Sequence, residues 1–310
     1  MIDALVRRAV SWPDRVAVVA PEGLFTYRDL DRDTAAAAAR ILGGRNDLAG
    51  ARVCILAPAG WGYLTALWGT WRAGGVAVPL AVSHPTSELD YVLGDTEPDL
   101  LVVDPGLAAR VVDVARLRGI PVVSPAELAA VPSGVGTDPP GDLPHTQIPD
   151  ARPAMILYTS GTTGRPKGVV STQANLRAQV QSLVDAWGWA PSDHLLLHLP
   201  LHHVHGIVNG LTCALWSGAC CQILDHFEPV EVWDRLSRGD VTLYMAVPTI
   251  YHRLIHAWDG ADPKTRARWS EGARRLRLMI SGSAALPVPT LARWEEITGH
   301  RLLERYGMTE

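Results

Sequence analysis

The clearest shortage in this chain of 310 residues is lysine: of its 28 basic side chains, only Lys167 and Lys264 are not arginine. The four cysteines form no C-x-x-C pair, which fits small apolar core residues better than a metal site or a disulfide framework. The net charge of -4 gives no support to nucleic-acid binding. Because arginine is the ordinary cation here, a lysine indicates a position that needs a compact, flexible ammonium group.

Signals for export or membrane insertion are also missing. The first ten residues, MIDALVRRAV, carry an acidic residue at Asp3, and no apolar segment follows it. The uncharged stretch from Gly206 to Leu224 is interrupted by polar residues and glycines, which favours a helix followed by a buried strand over a membrane span. We therefore expect no membrane association and a cytoplasmic location, while the sequence does not indicate an oligomeric state.

The order of apolar patterns predicts the fold class. Residues 1–130 alternate between helical patterns, such as YRDLDRDTAAAAARIL, and short apolar strands, such as ARVCILAP and DLLVVD. A stretch rich in proline and glycine at 132–153 predicts a linker or a long surface loop. Strands are then predicted at AMILYTS, HLLLHLP, GACCQIL, VTLYMAVP and RLRLMISG, with helices near 173–187, 206–216, 228–238, 248–258 and 287–298. This alternation predicts an α/β fold with parallel-rich sheets flanked by helices.

The stretch YTSGTTGRPKGVV, from Tyr158 to Val170, follows a predicted strand and is dense in glycines and hydroxyl groups. Ligands of open parallel sheets collect at the carboxyl ends of the strands. Glycines there let backbone N–H groups face inward, and a lysine adds a mobile positive charge. The spacing is not that of a Walker A loop, which requires G-x-x-x-x-G-K-[ST]. We predict a phosphate-binding loop of another kind, formed by Thr159, Ser160, Gly161, Thr162, Thr163, Gly164 and Lys167.

Two stretches together resemble signatures of the adenylate-forming enzymes, which include acyl-CoA synthetases, luciferases and the adenylation domains of peptide synthetases. YTSGTTGRPKGV resembles their phosphate-binding motif, and RYGMTE, from Arg305 to Glu310, resembles a second motif of the same superfamily. The resemblance covers the chain from FTYRDLDRDTAAAAARIL to its end. It implies a reaction in which ATP and Mg²⁺ convert a carboxylate to an acyl-adenylate, after which CoA accepts the acyl group.

The resemblance also implies roles for individual residues. Lys167, Thr162 and Glu310 are the expected catalytic residues: Lys167 neutralises charge on the transferring phosphate, and Glu310 supplies an oxygen to Mg²⁺. The residue that matches Tyr306 stacks on adenine, and the residue that matches Thr309 contacts phosphate. The other nucleotide-binding residues that it implies are Ala284, Glu304, Arg305, Gly307 and Met308.

Five histidines fall within a short segment of the second half: His194, His198, His202, His203 and His205. A zinc site is one interpretation, but no carboxylate or cysteine is interleaved, and Pro200 breaks any helix that would align them. The segment LPLHHVHG instead resembles the one that lines the acyl pocket in the superfamily. His202 stands where an aromatic residue is common, and HVHG with His205 resembles the malonyl-CoA synthetase branch.

Arg253 bears on the identity of the substrate. Pro248 suits the first position of a helix, so Arg253 falls in the second turn, above the expected ligand crevice. An arginine in an acyl pocket needs an anion, and a dicarboxylic acid supplies one in its unreacted carboxylate. The other interpretation is an arginine that faces solvent on an amphipathic helix. VPTIYHR and SGSAALP resemble malonyl-CoA synthetases, in which the residues that match Arg253 and Ser283 hold the distal carboxylate.

These observations lead to the hypothesis that residues 1–310 form the AMP-binding large domain of a malonyl-CoA synthetase-like ligase acting on malonate or methylmalonate. In the superfamily a small lid with a second catalytic lysine follows the YGMTE motif. We therefore expect the domain to be incomplete at its C-terminus and impaired in catalysis by itself. Two alternatives stay open: a non-catalytic nucleotide-binding protein, and a ligase of the same superfamily that uses a monocarboxylic acid.

Overall fold

The computed structural model describes residues 11–129, 148–159 and 165–310. The strands in these residues are β1 Val16–Ala20, β2 Gly23–Thr26, β3 Arg52–Leu56, β4 Val76–Pro79, β5 Leu100–Val103, β6 Val122–Val123, β7 Pro153–Thr159, β8 Lys167–Thr172, β9 His194–Leu197, β10 Cys220–Ile223, β11 Leu243–Ala246, β12 Leu278–Ser281 and β13 Leu303–Glu304. The α-helices are α1 Tyr27–Leu42, α2 Trp61–Arg72, α3 Thr86–Thr96, α4 Val112–Leu117, α5 Pro125–Ala129, α6 Gln173–Trp187, α7 Cys213–Trp216, α8 Pro229–Leu236, α9 Pro248–Gly260, α10 Pro263–Arg274 and α11 Val288–Thr298. A 3₁₀ helix at Pro105–Arg110 and a π-helix at His205–Thr212 complete the set.

The described strands form two sheets. One has six strands in the order β6-β5-β3-β4-β7-β8, and the other has seven in the order β13-β12-β11-β9-β10-β1-β2. Two pairings are antiparallel, β1 with β2 and β7 with β8, and each lies at one edge of its sheet. The other pairings are parallel. The predicted α/β class with parallel-rich sheets is therefore confirmed.

Strand β8 is an element that the sequence analysis does not predict. Its residues, KGVVST, are mostly exposed or half-buried at the sheet edge, so they carry no clear apolar alternation. The strand pairs with β7 in a hairpin in which Thr159 lies opposite Lys167. The chain therefore leaves β7, passes through the glycine-rich segment and returns along the same edge.

A hydrophobic core contains side chains from both sheets. Val53 and Ile55 of β3 and Leu195 and Leu197 of β9 belong to the same cluster of buried residues. Fully burying side chains of this kind contributes about 1.5–3 kcal/mol each relative to exposure. The fully buried Trp71 ties α2 to this core, because its indole N–H donates to the carbonyl oxygen of Ala154 at 2.8 Å. The shared core holds the two sheets together.

Sequence signals fix several helix ends. Thr26 and Asp29 form a capping box at the start of α1. Pro248 opens α9, as predicted, and places Arg253 in the second turn. Gly299 ends α11 with a φ of 73°, a conformation that a side chain with a Cβ rarely adopts. These ends are set locally, by capping groups and backbone preference.

Two further predictions can be compared with the structure. Most of the predicted linker at 132–153 lies outside the described residues, and Pro153 already belongs to β7, so the predicted break extends one residue too far. The helix predicted at 206–216 is present, but it begins at His205 and is a π-helix up to Thr212. No helix in the described ranges is long and apolar enough to cross a membrane.

Candidate functional site

The predicted acyl-pocket residues gather where parallel strands of the seven-stranded sheet end. His198 follows β9, α9 follows β11, and Ser283 follows β12. Strands β9, β11 and β12 are neighbours in the sheet, so the segments after them leave the same edge. This is the edge at which open α/β sheets bind ligands.

His205 and Ser283 are in direct contact at this edge. His205 opens the π-helix and is buried, and its Nδ1 lies 3.1 Å from the Oγ of Ser283. Ser283 has a φ of 67°, in the left-handed region. A residue with a Cβ pays about 1–3 kcal/mol for such a conformation, and backbone strain of this kind clusters at ligand sites. The structure thus brings together two of the three predicted substrate residues.

Burial decides the charge of His205. Loss of solvent lowers its pKa to about 4, with a further contribution from the positive charge of Arg305. The imidazole is therefore neutral at pH 7, with one protonated and one unprotonated nitrogen. Its Nε2 has no hydrogen-bond partner among the described residues. Buried polar atoms without a partner are few in folded proteins, so this nitrogen marks an unusual position.

Arg305 lies beside His205 and is half-buried. Its two Nη groups donate to the side-chain oxygen of Asn209 at 2.8 and 3.0 Å when the amide is oriented to accept them. Its backbone N–H donates to the carbonyl oxygen of Ser281, while its Nε has no partner in the described residues. Burial lowers the pKa of the guanidinium. We call His205, Asn209, Ser283 and Arg305 the acyl wall, after the predicted role of His205 and Ser283.

Close packing leaves no room for a side chain at position 282. A Cβ on Gly282 would stand 3.0 Å from the Cγ of Arg305 and 3.2 Å from the Cε1 of His205. Both contacts are tighter than ordinary van der Waals contact. The glycine of SGS therefore lets the histidine and the arginine approach the end of β12 together.

A cavity of about 490 Å³ adjoins the acyl wall. It is bounded by β8, by α6, by the π-helix and by the last six residues of the chain. Its lining is Val169, Val170, Ser171, Asn175, Leu176, Ala178, Gln179, Ser182, Val204, Val208, Arg305, Tyr306, Gly307, Met308, Thr309 and Glu310. Of the predicted nucleotide-binding residues, the cavity includes Arg305 to Thr309, and it also includes Glu310, the predicted metal ligand. The exposed Tyr306 ring, at 89% of its full accessibility, is available for stacking.

The predicted phosphate-binding loop is described only at its two ends. Thr159 is the last residue of β7, and the exposed Lys167 is the first residue of β8. We call these two residues the phosphate rim. Ser160, Gly161, Thr162, Thr163 and Gly164 lie outside the described residues. Their phosphate contacts, and the catalytic role of Thr162, stay predictions.

Other predicted nucleotide-binding residues lie near the acyl wall. Ala284 follows Ser283 and is exposed, and Glu304, at the end of β13, accepts a hydrogen bond from the backbone N–H of Leu286 at 3.0 Å. Glu304 thereby fixes the segment that follows β12. Neither residue lines the cavity, and their nucleotide contacts stay predictions.

Arg253 is at the predicted edge but not in contact with the acyl wall. Its side chain is exposed, and the guanidinium carbon lies 4.5 Å from the centre of the Phe227 ring. The Phe227 ring in turn lies 5.1 Å from that of His198, whose Nε2 is 2.7 Å from the hydroxyl of Tyr244. The contact of Arg253 with a substrate carboxylate stays a prediction.

Two histidines of the second half contact each other, with a third from the first half nearby. His202 and His203 have ring centres 4.2 Å apart, and His84, which the sequence analysis does not single out, lies 6.1 Å from His202. Burial lowers the pKa of His198 and of His202 to about 4. Within the described ranges, no group of three or more histidine, cysteine or acidic side chains is arranged to hold a metal ion.

Asn209 is the site residue that sequence reasoning missed. It is fully buried in the π-helix, in a stretch that is mostly apolar. A buried amide requires hydrogen-bond partners, so a lone asparagine in an apolar helix is a usable signal for a polar site. The sequence alone could not show that its partner would be Arg305, almost one hundred residues later.

The sheet edge, the cavity and the two sequence motifs define an enzyme class. The chain belongs to the AMP-binding enzyme family, whose match extends over residues 5–310. The resemblance to adenylate-forming enzymes is thereby confirmed.

The particular relatives are ligases of small acids. The mitochondrial malonate–CoA ligase of Homo sapiens is 41% identical over 98% of this chain and 54% of its own length, and that of Mus musculus is 43% identical over 98% and 53%. ATP-bound MatB from Rhodopseudomonas palustris matches with a TM-score of 0.82 and 31% identity, over 100% of this chain and 60% of that one. The chain spans about half the length of the curated relatives it matches. Two mammalian relatives are mitochondrial, so the cytoplasmic location stays a prediction.

Proposed function

We propose that this chain binds ATP and a small dicarboxylic acid, malonate or methylmalonate, for adenylate formation and transfer of the acyl group to CoA. The observation that carries the proposal is the half-buried guanidinium of Arg305. It lies beside His205, and in the described residues its side-chain hydrogen bonds go to a neutral amide, not to a carboxylate. A buried cation of this kind needs an anion. A dicarboxylic acid supplies one after its other carboxylate has reacted.

The proposed reaction has two steps. A carboxylate oxygen of the acid attacks the α-phosphorus of ATP, and the bond from that phosphorus to the pyrophosphate oxygen breaks. The thiol of CoA then attacks the acyl carbon, loses its proton and displaces AMP. Lys167 balances negative charge on the transferring phosphate in the first step. The acyl wall holds the distal carboxylate and so fixes the orientation of the reacting one.

Arg253 and Ser283 are proposed as further contacts of the distal carboxylate. Both follow neighbouring parallel strands, β11 and β12, whose paired residues include Ala246 and Ser281. Stacking on Phe227 restricts the guanidinium of Arg253 while leaving its N–H groups exposed. These features support a carboxylate contact by Arg253 at the edge where these strands end.

The residues present are compatible with Mg²⁺ only as a partner of the nucleotide. Glu310 lines the cavity and is exposed, so its carboxylate is available as one oxygen ligand. The described part of the chain contains no group of three or more metal-binding side chains. Mg²⁺ commonly takes one or two carboxylates, substrate phosphates and water. Glu310 would hold the ion beside the phosphates, where it neutralises charge.

The relatives supply independent support for the substrate class. Curated proteins similar to this chain are named malonate–CoA ligases, and one similar solved structure is described as a malonyl-CoA ligase with methylmalonyl-CoA and AMP bound. That structure matches with a TM-score of 0.81 and 33% identity over 96% of this chain and 58% of its own. A plant relative, at 31% identity, is named an oxalate–CoA ligase, which is also a ligase of a dicarboxylic acid.

Calorimetric titration of the purified chain tests the proposal directly. MgATP is titrated first, and malonate, methylmalonate and acetate are then titrated into the ATP-bound chain, with pyrophosphate release measured in parallel. The proposal expects heat from MgATP, tighter binding of both dicarboxylic acids than of acetate, and pyrophosphate release that depends on the dicarboxylic acid. Binding without any release would favour a non-catalytic nucleotide-binding protein.

An Arg253→Ala variant distinguishes the remaining alternative. If Arg253 contacts the distal carboxylate, the variant loses part of its preference for malonate over acetate, by about fivefold or less because the side chain is exposed. The matched variant His252→Ala, at the preceding exposed position of α9, keeps the preference. An unchanged preference in Arg253→Ala, with acetate bound as well as malonate in the parent chain, would favour a ligase of monocarboxylic acids.

A further inference from the structure

Helix α3 holds both strands of the hairpin that carries the phosphate rim. The hydroxyl of Tyr158, the residue before Thr159, donates to the carboxylate of Asp95 at 2.5 Å. The hydroxyl of Tyr91 donates to the backbone carbonyl of Pro166, the residue before Lys167, at 3.1 Å. Tyr91 and Asp95 are four residues apart, on one face of α3. One helix face therefore fastens the end of β7 and the start of β8.

A glycine makes the Tyr158 contact sterically possible. Tyr158 is paired with Gly168 across the hairpin. A Cβ at position 168 would stand 2.9 Å from the Cγ2 of Ile156 and 3.3 Å from the Cζ of Tyr158. The first distance is shorter than real Cβ contacts, so a larger residue would displace the neighbouring side chains. Gly168 leaves room for the Tyr158 ring beside the hairpin, from where its hydroxyl reaches α3.

We propose that Tyr91 and Asp95 are positioning residues for Lys167, and this inference rests on the proposed function. Lys167 is exposed, and its described surroundings provide no ion pair that would fix it. The two hydrogen bonds from α3 hold the residues that flank the phosphate rim, Tyr158 and Pro166. They thereby fix the point from which the ammonium group reaches the phosphates. Small displacements of such a group weaken its action strongly.

The direction of the Tyr158 hydrogen bond, from its hydroxyl to Asp95, agrees with this role. Burial and the neighbouring Asp95 carboxylate both raise the pKa of Tyr158, so its hydroxyl stays protonated and donates at any physiological pH. Neither Tyr91 nor Asp95 belongs to the cavity lining. They act through the hairpin backbone and the tyrosine, not on a substrate.

Because the chain has only two lysines, lysine-specific isotope labelling can test the proposal. Incorporation of ¹⁵N-lysine gives two backbone amide signals, from Lys167 and Lys264, and a Lys264→Arg variant assigns them. The test compares Tyr91→Phe and Asp95→Ala with the unaltered chain. We expect both variants to shift the Lys167 signal and lower its ¹H–¹⁵N heteronuclear NOE, while the Lys264 signal stays in place. The dissociation constant for MgATP should rise about three- to tenfold.

Matched controls separate positioning from general loosening. Tyr27→Phe removes a tyrosine hydroxyl that donates to the Ala219 carbonyl at 2.8 Å, and Asp90→Ala removes a carboxylate on α3 that pairs with Arg118 at 2.7 Å. Both should leave the Lys167 signal and the MgATP affinity unchanged. Asp95→Asn should restore most of the parent behaviour, because its amide oxygen still accepts from Tyr158.

The outcomes separate this inference from the proposed function. An unchanged Lys167 signal in Tyr91→Phe and Asp95→Ala, or an equal change in the two controls, overturns the positioning role. A parent chain whose Lys167 signal does not respond to MgATP contradicts the proposed function instead. In that case a shifted Lys167 signal in the variants still shows that α3 fixes the hairpin, but the inference about phosphate binding fails with the function.

Discussion

The two sides of the site handle charge in opposite ways. The phosphate rim presents the exposed ammonium of Lys167 at the end of an edge hairpin, and hydrogen bonds from α3 hold the residues beside it. The acyl wall combines a neutral, buried histidine with a half-buried guanidinium that hydrogen-bonds to a buried amide. The charged group of the phosphate rim is exposed to water, whereas the charged group of the acyl wall is partly buried.

This difference agrees with what the proposed function requires each side to recognise. A triphosphate carries several charges and their counterions, so a mobile, hydrated cation can follow the charge as it moves. A small acid offers one distal carboxylate, and discrimination against an acid without it requires a polar site that stays unpaired when the carboxylate is missing. If the proposed function is right, the phosphate rim mainly affects the reaction rate and the acyl wall mainly affects the choice of acid. The predictions below test that division.

The largest effect is expected at the phosphate rim. Lys167→Ala removes the cation that balances the transferring phosphate, and malonate-dependent pyrophosphate release should fall about 10²–10³-fold. Lys264→Ala, in α10, is the matched control and should leave the rate unchanged. Malonate binding in the presence of ATP should be affected much less than the rate. A loss of malonate binding as large as the loss of rate would contradict the division between rim and wall.

The second effect is expected at the acyl wall. Arg305→Met keeps an unbranched apolar stem but removes the half-buried cation. Malonate affinity should fall about thirtyfold, at the lower end of the about 2–5 kcal/mol that losing one partner of a buried charge pair costs. Acetate affinity should hardly change. The exposed Arg301→Met is the control for a charge removed nearby. Equal losses for malonate and acetate would contradict the assignment.

Local sequence patterns predicted the position of the phosphate rim but not the composition of the acyl wall. The rim could be predicted from YTSGTTGRPKGVV, because a glycine-rich segment after a strand is a local pattern with a local physical reason. The α/β class and the helix that begins at Pro248 were predictable for the same reason. Strand β8 was missed because a half-exposed edge strand has no clear periodicity.

The wall could not be derived from local pattern. Its members come from the π-helix, from the turn after β12 and from the segment after β13, and only the tertiary fold joins them. Motif resemblance identified His205 and Ser283, and the structure places these two in contact. Arg305 was assigned to the nucleotide, while its distance from Asn209 in the chain hid the pairing that the structure shows. Long-range pairing of polar groups leaves no periodic trace in a sequence.

The smallest predicted effect concerns the neutral histidine of the wall. A histidine in an unfolded chain has a pKa of about 6.5, whereas burial lowers that of folded His205 to about 4. Between these values the unfolded chain binds a proton that the folded chain does not, so stability falls as the pH falls through this window. Between pH 8 and pH 6 the loss due to His205 is about 0.8 kcal/mol, or about fourfold in the folding equilibrium.

His205→Asn should remove this part of the pH dependence while keeping a polar group beside Ser283. Urea unfolding at pH 8 and pH 6 measures it: the parent chain should lose about 0.8 kcal/mol more than the variant. The exposed His256→Asn provides the surface control and should follow the parent. Equal losses in the parent and in His205→Asn would mean that the folded wall accepts a proton near pH 6. The wall would then carry two adjacent positive charges in mild acid. Burial would not keep His205 neutral, and the contrast between the acyl wall and the phosphate rim would be lost.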